Sequence, residues 1–245
     1  MYPSLGGQHV FITGGGSGIG ASIVEAFANS GSLVTFVDID IEASSALANR
    51  FDNVTFESCD IRNIETLQSV INKSIEANGL IAVLVNNAAS DDRHTIESVT
   101  KEYWDNCQNI NLRPHFFSAQ AVVEGMKTIG GGSIINLSSN SFMLKVGGMP
   151  GYLASKAAIV GLTNALARDL GPHKIRVNAV LPGWIMTEKQ RTLWMTPEDE
   201  KELLATQCLK ELIYPEEIAK LVLFLASDQS RMITAQSLVI DAGRA

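Results

Sequence analysis

The sequence predicts an α/β fold: one domain built on a doubly wound parallel sheet with helices on both faces. Three observations predict it. Short runs rich in β-branched residues alternate with longer helical runs along the whole chain. A glycine-rich turn, TGGGSGIG at Thr13 to Gly20, joins the first strand run to the first helical run. The 245 residues, 46% hydrophobic, are enough for one large core, and no shift in composition marks a second domain.

The elements follow in order. HVFIT reads as the first strand and Ile19 to Asn29 as the first helix; SLVTFVD is the next strand, and Ile41 to Arg50 the next helix. NVTFES, IAVLVNN, GSIINLSS, IRVNAVLP and SLVIDAG are the remaining strands, separated by helices near Ile64 to Asn78, Tyr103 to Thr128, Tyr152 to Leu170 and Pro215 to Ala226. In such sheets ligands bind beyond the carboxyl ends of the strands. Asp38, Asp60, Asn86 with Asn87, Ser138 with Ser139, and Pro182 with Gly183 all fall at those ends, which argues for one shared site.

Several function classes are excluded by composition. A net charge of −7 without a basic patch argues against nucleic acid as a partner. Cys59, Cys107 and Cys208 are scattered and lack CxxC spacing, which suggests reduced thiols rather than disulfides or a thiolate metal site. His9, His94, His115 and His173 lack the spacing that places two imidazoles on one helix face, so they read as structural or surface residues and no metal is expected. MYPSLGGQHV has no basic segment followed by an apolar run, and IAVLV and LVLFLA are too short to span a bilayer. A soluble, cytoplasmic protein without membrane attachment is expected.

The glycine-rich turn lets backbone amides approach a pyrophosphate at a helix N-terminus, where the helix dipole adds roughly half a positive charge. Its placement between strand and helix, with Asp38 ending the next strand, makes this a Rossmann-type dinucleotide site. A carboxylate at Asp38 accepts bonds from ribose hydroxyls and repels a ribose phosphate. Neither Ser17 nor Ile39, Asp40 and Ile41 supplies a compensating cation, so NAD is favoured over NADP. Asp60 suits either a contact to adenine or a cap on the following helix.

Tyr152 and Lys156, the ends of YLASK, lie one helical turn apart, and Tyr152 follows Ser139 by thirteen residues. A free phenol has a pKa near ~10 and is a poor base at neutral pH. An ammonium on the same helix face is expected to lower it, making a proton donor and acceptor suited to hydride-transfer chemistry. Ser138 and Ser141 are alternatives to Ser139 from the residues alone.

With TGGGSGIG, Asp38, CDI, NNAA, Asn111, Ser139, YLASK and LPGW in this order, the chain resembles the short-chain dehydrogenase/reductase superfamily over nearly its whole length. The resemblance implies that Gly14, Ser17, Gly18, Ile19 and Gly20 hold the pyrophosphate, Asp60 and Ile61 the adenine, and Asn87 the adenosine ribose region. Pro182, Gly183, Ile185 and Thr187 would hold the nicotinamide end. It implies Tyr152 as the base and Ser139 as the group that polarises the reacting oxygen. Lys156 would bind the nicotinamide ribose and lower the phenol's pKa, and Asn111 would anchor a proton-relaying water. The family usually has glycine at the position of Ala89; if that backbone needs a positive φ, alanine costs on the order of 1 kcal/mol. Pairing through the helices from Tyr103 and Tyr152 into a homotetramer is also implied.

SDDRH after NNAA, EYWD, LWMTPEDE and AQSLVIDAG are similar to bacterial NAD-dependent aldose 1-dehydrogenases acting on xylose, galactose or related pyranoses. Such a substrate gives up hydride from C1 and forms a lactone. Ser139, Asn140, Ser141, Met149, Tyr152 and Trp184 are expected to line the sugar pocket, Trp184 offering an apolar face. Asp91, Asp92, Arg93 and His94, near its mouth, read as a solvated, ion-paired loop, with direct contact to the sugar as the alternative. The segment from Ile185 to Ile213 reads as a lid or as an ordinary packed helical pair. Alternatives are a dehydrogenase or reductase for a steroid, acyl thioester or polyol, and a non-catalytic NAD sensor.

Overall fold

In a computed structural model, residues 2–245 are described. Seven parallel strands form one sheet in the order β3-β2-β1-β4-β5-β6-β7. The strands are β1 (His9–Thr13), β2 (Leu33–Asp38), β3 (Val54–Ser58), β4 (Ile81–Asn86), β5 (Gly132–Leu137), β6 (Ile175–Pro182) and β7 (Ser237–Ile240). The order reverses between β1 and β4, which opens a crevice at their carboxyl ends.

The helices are α1 (Gly18–Asn29), α2 (Ile41–Ala48), α3 (Ile64–Asn78), α4 (Lys101–Asn111), α5 (Arg113–Thr128), α6 (Pro150–Leu170), α7 (Glu188–Leu193), α8 (Pro197–Thr206) and α9 (Pro215–Ala226). Alternation along the strands divides the core. Val10, Ile12, Val34, Phe36 and Val180 pack with Ile23 and Phe27 of α1 and Val222 of α9. Phe11, Val37, Leu84, Ile134 and Val177 pack with Leu67 of α3, Val122 of α5 and Ala167 of α6. Both faces are therefore covered, as the near-continuous apolar strand runs require. No helix among the described residues is long and apolar enough to cross a membrane.

The helix expected from Tyr103 to Thr128 is two helices. Pro114 has no amide proton and its ring crowds the preceding turn, so the chain breaks at Leu112, whose φ is −127°. The His115 amide turns to the Leu112 carbonyl (3.1 Å), and the carbonyl of Asn111 is left without its helical partner. The break thus places Asn111 at a helix end.

A polar ladder crosses the sheet behind the crevice. Ser118 Oγ donates to Asn86 Oδ1 (2.6 Å), Asn86 Nδ2 to Asn136 Oδ1 (3.0 Å), and Asn136 Nδ2 to Thr163 Oγ1 (3.0 Å). All four are buried, so each bond removes a desolvation penalty and fixes the register of β4, β5, α5 and α6 together. Asn136→Ala, which removes the partner of Thr163 Oγ1 and leaves Asn86 Nδ2 only its longer bond to the His115 carbonyl (3.4 Å), is expected to lower stability by about 1–3 kcal/mol. A urea titration checks this; an unchanged midpoint would show that the ladder carries no stability.

Candidate active site

The crevice holds two adjoining cavities. The larger, about 880 Å³, is bordered by Gly14, Ser17, Gly18, Ile19, Gly20, Asp38, Asp60, Ile61, Asn87 and Thr187. The smaller, about 290 Å³, is bordered by Ile19, Ser139, Asn140, Ser141, Met149, Tyr152, Pro182, Gly183, Trp184, Ile185 and Thr187. Except for Asn111 and Lys156, both buried behind these walls, every expected site residue borders one cavity or both.

Backbone proximity explains the glycine loop. A Cβ on Gly20 would come within 1.8 Å of the Gly14 carbonyl oxygen, and one on Gly14 within 2.6 Å of Ala88 Cα. Gly18 takes a φ of +54°. Ser17, at the N-cap of α1, makes no side-chain bond to the first turn, so that side chain leaves the amides there to a ligand. These features fit a pyrophosphate.

Asp38 is held at the cavity wall by three amides: Gly16 N donates to Oδ2 (2.8 Å), and Ile39 N (2.7 Å) and Asp40 N (3.0 Å) to Oδ1. A carboxylate has about four acceptor positions, so one remains for a ribose hydroxyl. Asn87 stitches the sheet edge to the loop, its Nδ2 donating to the carbonyls of Thr13 (3.2 Å) and Gly14 (2.7 Å). Asp60 does not cap α3; Asn63 does, accepting from Thr66 N, while Asp60 accepts a guanidinium fork from Arg62. That hydrogen bonding, outweighing partial burial, holds the Asp60 carboxyl below the usual range.

The serines separate by partner. Ser138 Oγ donates to the Lys156 carbonyl (2.6 Å) and is structural, whereas Ser139 Oγ shares a bond with Ser141 Oγ (2.8 Å) at the cavity. Asn140 Nδ2 is committed to Asp241 (2.8 Å), whose carboxylate also gathers the amides of Gly243, Arg244 and Ala245. The C-terminal tail is thereby folded against the loop of residues 138–141, and Arg244 borders the smaller cavity. Only this placement reveals Arg244 as a site residue; a terminal arginine carries no motif.

The Tyr152 phenol is not depressed as expected, because burial outweighs the charges around it. The Lys156 ammonium donates to the Leu137 carbonyl (2.8 Å) and lies 5.5 Å from the phenol ring centroid. Burial raises the phenol's pKa above its ordinary value and Asp91 adds to the rise, against downward pulls from the Ser139 hydrogen bond and Arg93. Burial likewise brings Lys156 down to about 8, with Asp91 and Cys107 opposing. His115 stands beside this pair as a neutral imidazole, its pKa pulled down to about 3 by burial and then by Lys156. Asn111, fully buried, accepts from Ser90 N (3.0 Å) and donates to the Cys107 carbonyl (3.0 Å), so its side chain is locked.

The loop carrying the charged quartet is ion-paired, as expected, and Asp92 and Arg93 are exposed, but His94 is not solvated. Asp91 pairs with Lys189, Asp92 accepts from Ser90, and Arg93 lies over Trp194. His94 is buried, bonds Tyr103 Oη (2.9 Å) and accepts from Gly151 N (3.0 Å), fixing the start of α6 just before Tyr152. Ala89 carries no left-handed strain: among the described residues the non-glycine positions with positive φ are Lys145, Lys174, Ala235 and Ala242.

Residues 14–245 match the family described as enoyl-(acyl carrier protein) reductase. The chain belongs to the short-chain dehydrogenase/reductase family. Among relatives, a protein of Rhizobium meliloti described as a probable galactose dehydrogenase is 47% identical, covering 99% of this chain and 97% of that one. D-xylose 1-dehydrogenase of Caulobacter vibrioides is also 47% identical, over 99% and 98% of the two chains. The structure of Thermoplasma acidophilum aldohexose dehydrogenase superposes with a TM-score of 0.90 at 28% identity, covering 100% and 96%. Short-chain dehydrogenases use a nicotinamide cofactor, and the larger cavity fits one. Gly20→Ala, which closes the cradle, is expected to abolish the calorimetric signal of nicotinamide dinucleotide binding while the folded circular dichroism spectrum persists. Retained binding would contradict the cradle.

Proposed function

We propose that this dehydrogenase oxidises the C1 hydroxyl of an aldose, with NAD as acceptor, to a lactone. The observation that carries the proposal is the juxtaposition of Tyr152 and Ser139 in a polar-edged cavity of about 290 Å³, at the low end for small-ligand sites. A cavity of that size favours a monosaccharide over a steroid. The 47% identity to galactose and xylose dehydrogenases supports the same class.

Gly14, Ser17, Gly18, Ile19 and Gly20 would hold the pyrophosphate, Asp38 the adenosine ribose, Asp60 and Ile61 the adenine, and Pro182, Gly183, Ile185 and Thr187 the nicotinamide end. When bound, the nicotinamide supplies the acceptor for hydride. Ser139 holds the sugar's reacting hydroxyl, and Tyr152 takes its proton as the hydride leaves C1. Lys156 orients the nicotinamide ribose and, through Asn111 and water, passes the proton onward. Met149, Ser141 and Trp184 shape the pocket, with Asn140 anchoring its floor through Asp241.

Asp38 supports NAD over NADP, because its charge opposes a ribose phosphate, and the nearby Arg62 is already paired with Asp60. Free Cys59, Cys107 and Cys208 suit a reducing cytoplasm. Exposed Trp104 on α4 and Phe116 on α5 support self-association through these helices into a homotetramer.

Initial rates of NADH formation across aldoses, polyols, hydroxysteroids and secondary alcohols test the reading. Activity on aldoses is expected, reduced by about tenfold to a hundredfold with NADP, the scale of one charged hydrogen bond. Turnover confined to steroids or simple alcohols would refute the sugar assignment. Tyr152→Phe is expected to lower kcat by at least about a hundredfold while nucleotide binding persists. Because burial disfavours the phenolate, kcat/KM for oxidation should rise with pH by about tenfold per unit below the phenol's pKa. A pH-independent rate would contradict the assignment of Tyr152 as base.

A further inference from the structure

The loop after β4 carries a carboxylate to which the hydride-transfer machinery assigns no part. Asp91 borders both cavities, and each of its oxygens is taken by one side chain of α7. Lys189 Nζ donates to Oδ1 (2.7 Å), and Gln190 Nε2 to Oδ2 (2.7 Å). Gln190 in turn accepts from the indole Nε1 of Trp184 (2.8 Å), so one carboxylate fixes α7 and, through Gln190, the ring beside the sugar cavity.

A second contact secures the other end of α7. Arg93 lies 5.3 Å from the ring centroid of Trp194, the residue that ends α7, and its Nη1 reaches Met149 Sδ (3.1 Å) at the N-cap of α6. The base of the segment is closed by a parallel bridge between Ile185 and Ile213. Between these anchors α7 lies over the boundary of the two cavities: Lys189, Thr192 and Leu193 face the larger, Gln190 the smaller, and Thr187 just before the helix both.

We propose that Asp91 is a positioning residue: it fastens the α7 segment over the reaction site and sets a negative charge, partly compensated by Lys189, beside the Tyr152–Lys156 pair. This rests on the reading of Tyr152 as the base. The carboxylate is ionised at neutral pH. Burial pushes its pKa up, but the Lys189 and Gln190 hydrogen bonds outweigh that and hold it below the ordinary range. The groups around the phenol are Asp91 and Arg93 from this loop, Cys107 from α4, Ser139 beyond β5, and Lys156 on its own helix, with the neutral His115 of α5 beside Lys156 and Arg244 of the tail on the same cavity. Of these Asp91 is the one carboxylate, and it favours the protonated phenol.

The sign of each substitution follows. Asp91→Asn removes the negative charge, so the phenol loses its proton more easily and the rising limb of kcat/KM for sugar oxidation moves to lower pH. Lys189→Met leaves Asp91 uncompensated, so the same limb moves to higher pH. Each variant weakens the fastening without removing it, since Gln190 keeps its bond in Lys189→Met and the new amide keeps one acceptor oxygen in Asp91→Asn, and in both the sugar KM should rise by several-fold. Amide hydrogen exchange over residues 185–206 should quicken in both, with or without turnover.

The experiment is hydrogen exchange and the pH profile of kcat/KM on wild type, Asp91→Asn and Lys189→Met. Opposed displacements of the rising limb, with faster exchange at 185–206 in both variants, are expected. Limbs that stay in place or move in the same direction would overturn the electrostatic role, and unchanged exchange would overturn the fastening. A wild type that turned over no aldose would sink the sugar reading separately, since the exchange measurement still decides the α7 contact.

Discussion

Lys156 is a cation with 2% of its surface exposed, and the site depends on how it is held. Burying an ammonium costs several kcal/mol unless hydrogen bonds and charge replace water. The Leu137 carbonyl at 2.8 Å supplies one bond, and Asp91 supplies charge from the opposite wall. The helix that carries Lys156 is itself tied down, by Ser138 on the Lys156 carbonyl and by His94 on the Gly151 amide. Tyr152 lies between those two ties, so its placement follows from them.

The same economy of contacts links the sheet to the chemistry. The ladder from Ser118 through Asn86 and Asn136 to Thr163 aligns the carboxyl ends of β4 and β5, where the loops bearing Asp91 and Ser139 begin. Asp241, at the far edge, reaches back to Asn140 and folds the tail over the pocket. Residues that look like candidate ligands in the sequence, Asn87 and Asn140 among them, spend their side chains on this framework. Ser139, Tyr152 and Arg244 border the smaller cavity, and Ser139 Oγ bonds within its own loop, to Ser141.

Much of this was legible in the chain. β1, β6, α3 and α9 have the bounds their patterns predict, because the two strands are short β-rich runs buried on both faces and the two helices are period-3.6 runs closed by a turn or cap. The position of the glycine loop, Asp38 and Tyr152 along the crevice is legible because strand ends and helix starts fix it, whereas Ser139 is separated from Ser138 and Ser141 only by the family resemblance and by its partners in the structure. The break at Leu112 was missed since the apolar pattern runs through it, although Pro114 is the signal that would have found it. The direction of the Tyr152 shift was missed for a different reason. Spacing on a helix shows that Lys156 is near the phenol, but not that its head turns to a backbone carbonyl or that a distant loop brings Asp91 alongside. The partners of Asp91 and Arg93, which are Lys189, Gln190 and Trp194, are not legible because they lie about a hundred residues away in sequence.

The central claim is that hydride leaves C1 of an aldose while Tyr152 takes the hydroxyl proton. Turnover of an aldose deuterated at C1, followed by mass spectrometry of both products, tests it most directly. The account predicts that the deuterium appears in the reduced nucleotide and that the sugar product is a lactone without it. Deuterium retained in the sugar product would contradict the account, because the oxidised carbon would then lie elsewhere.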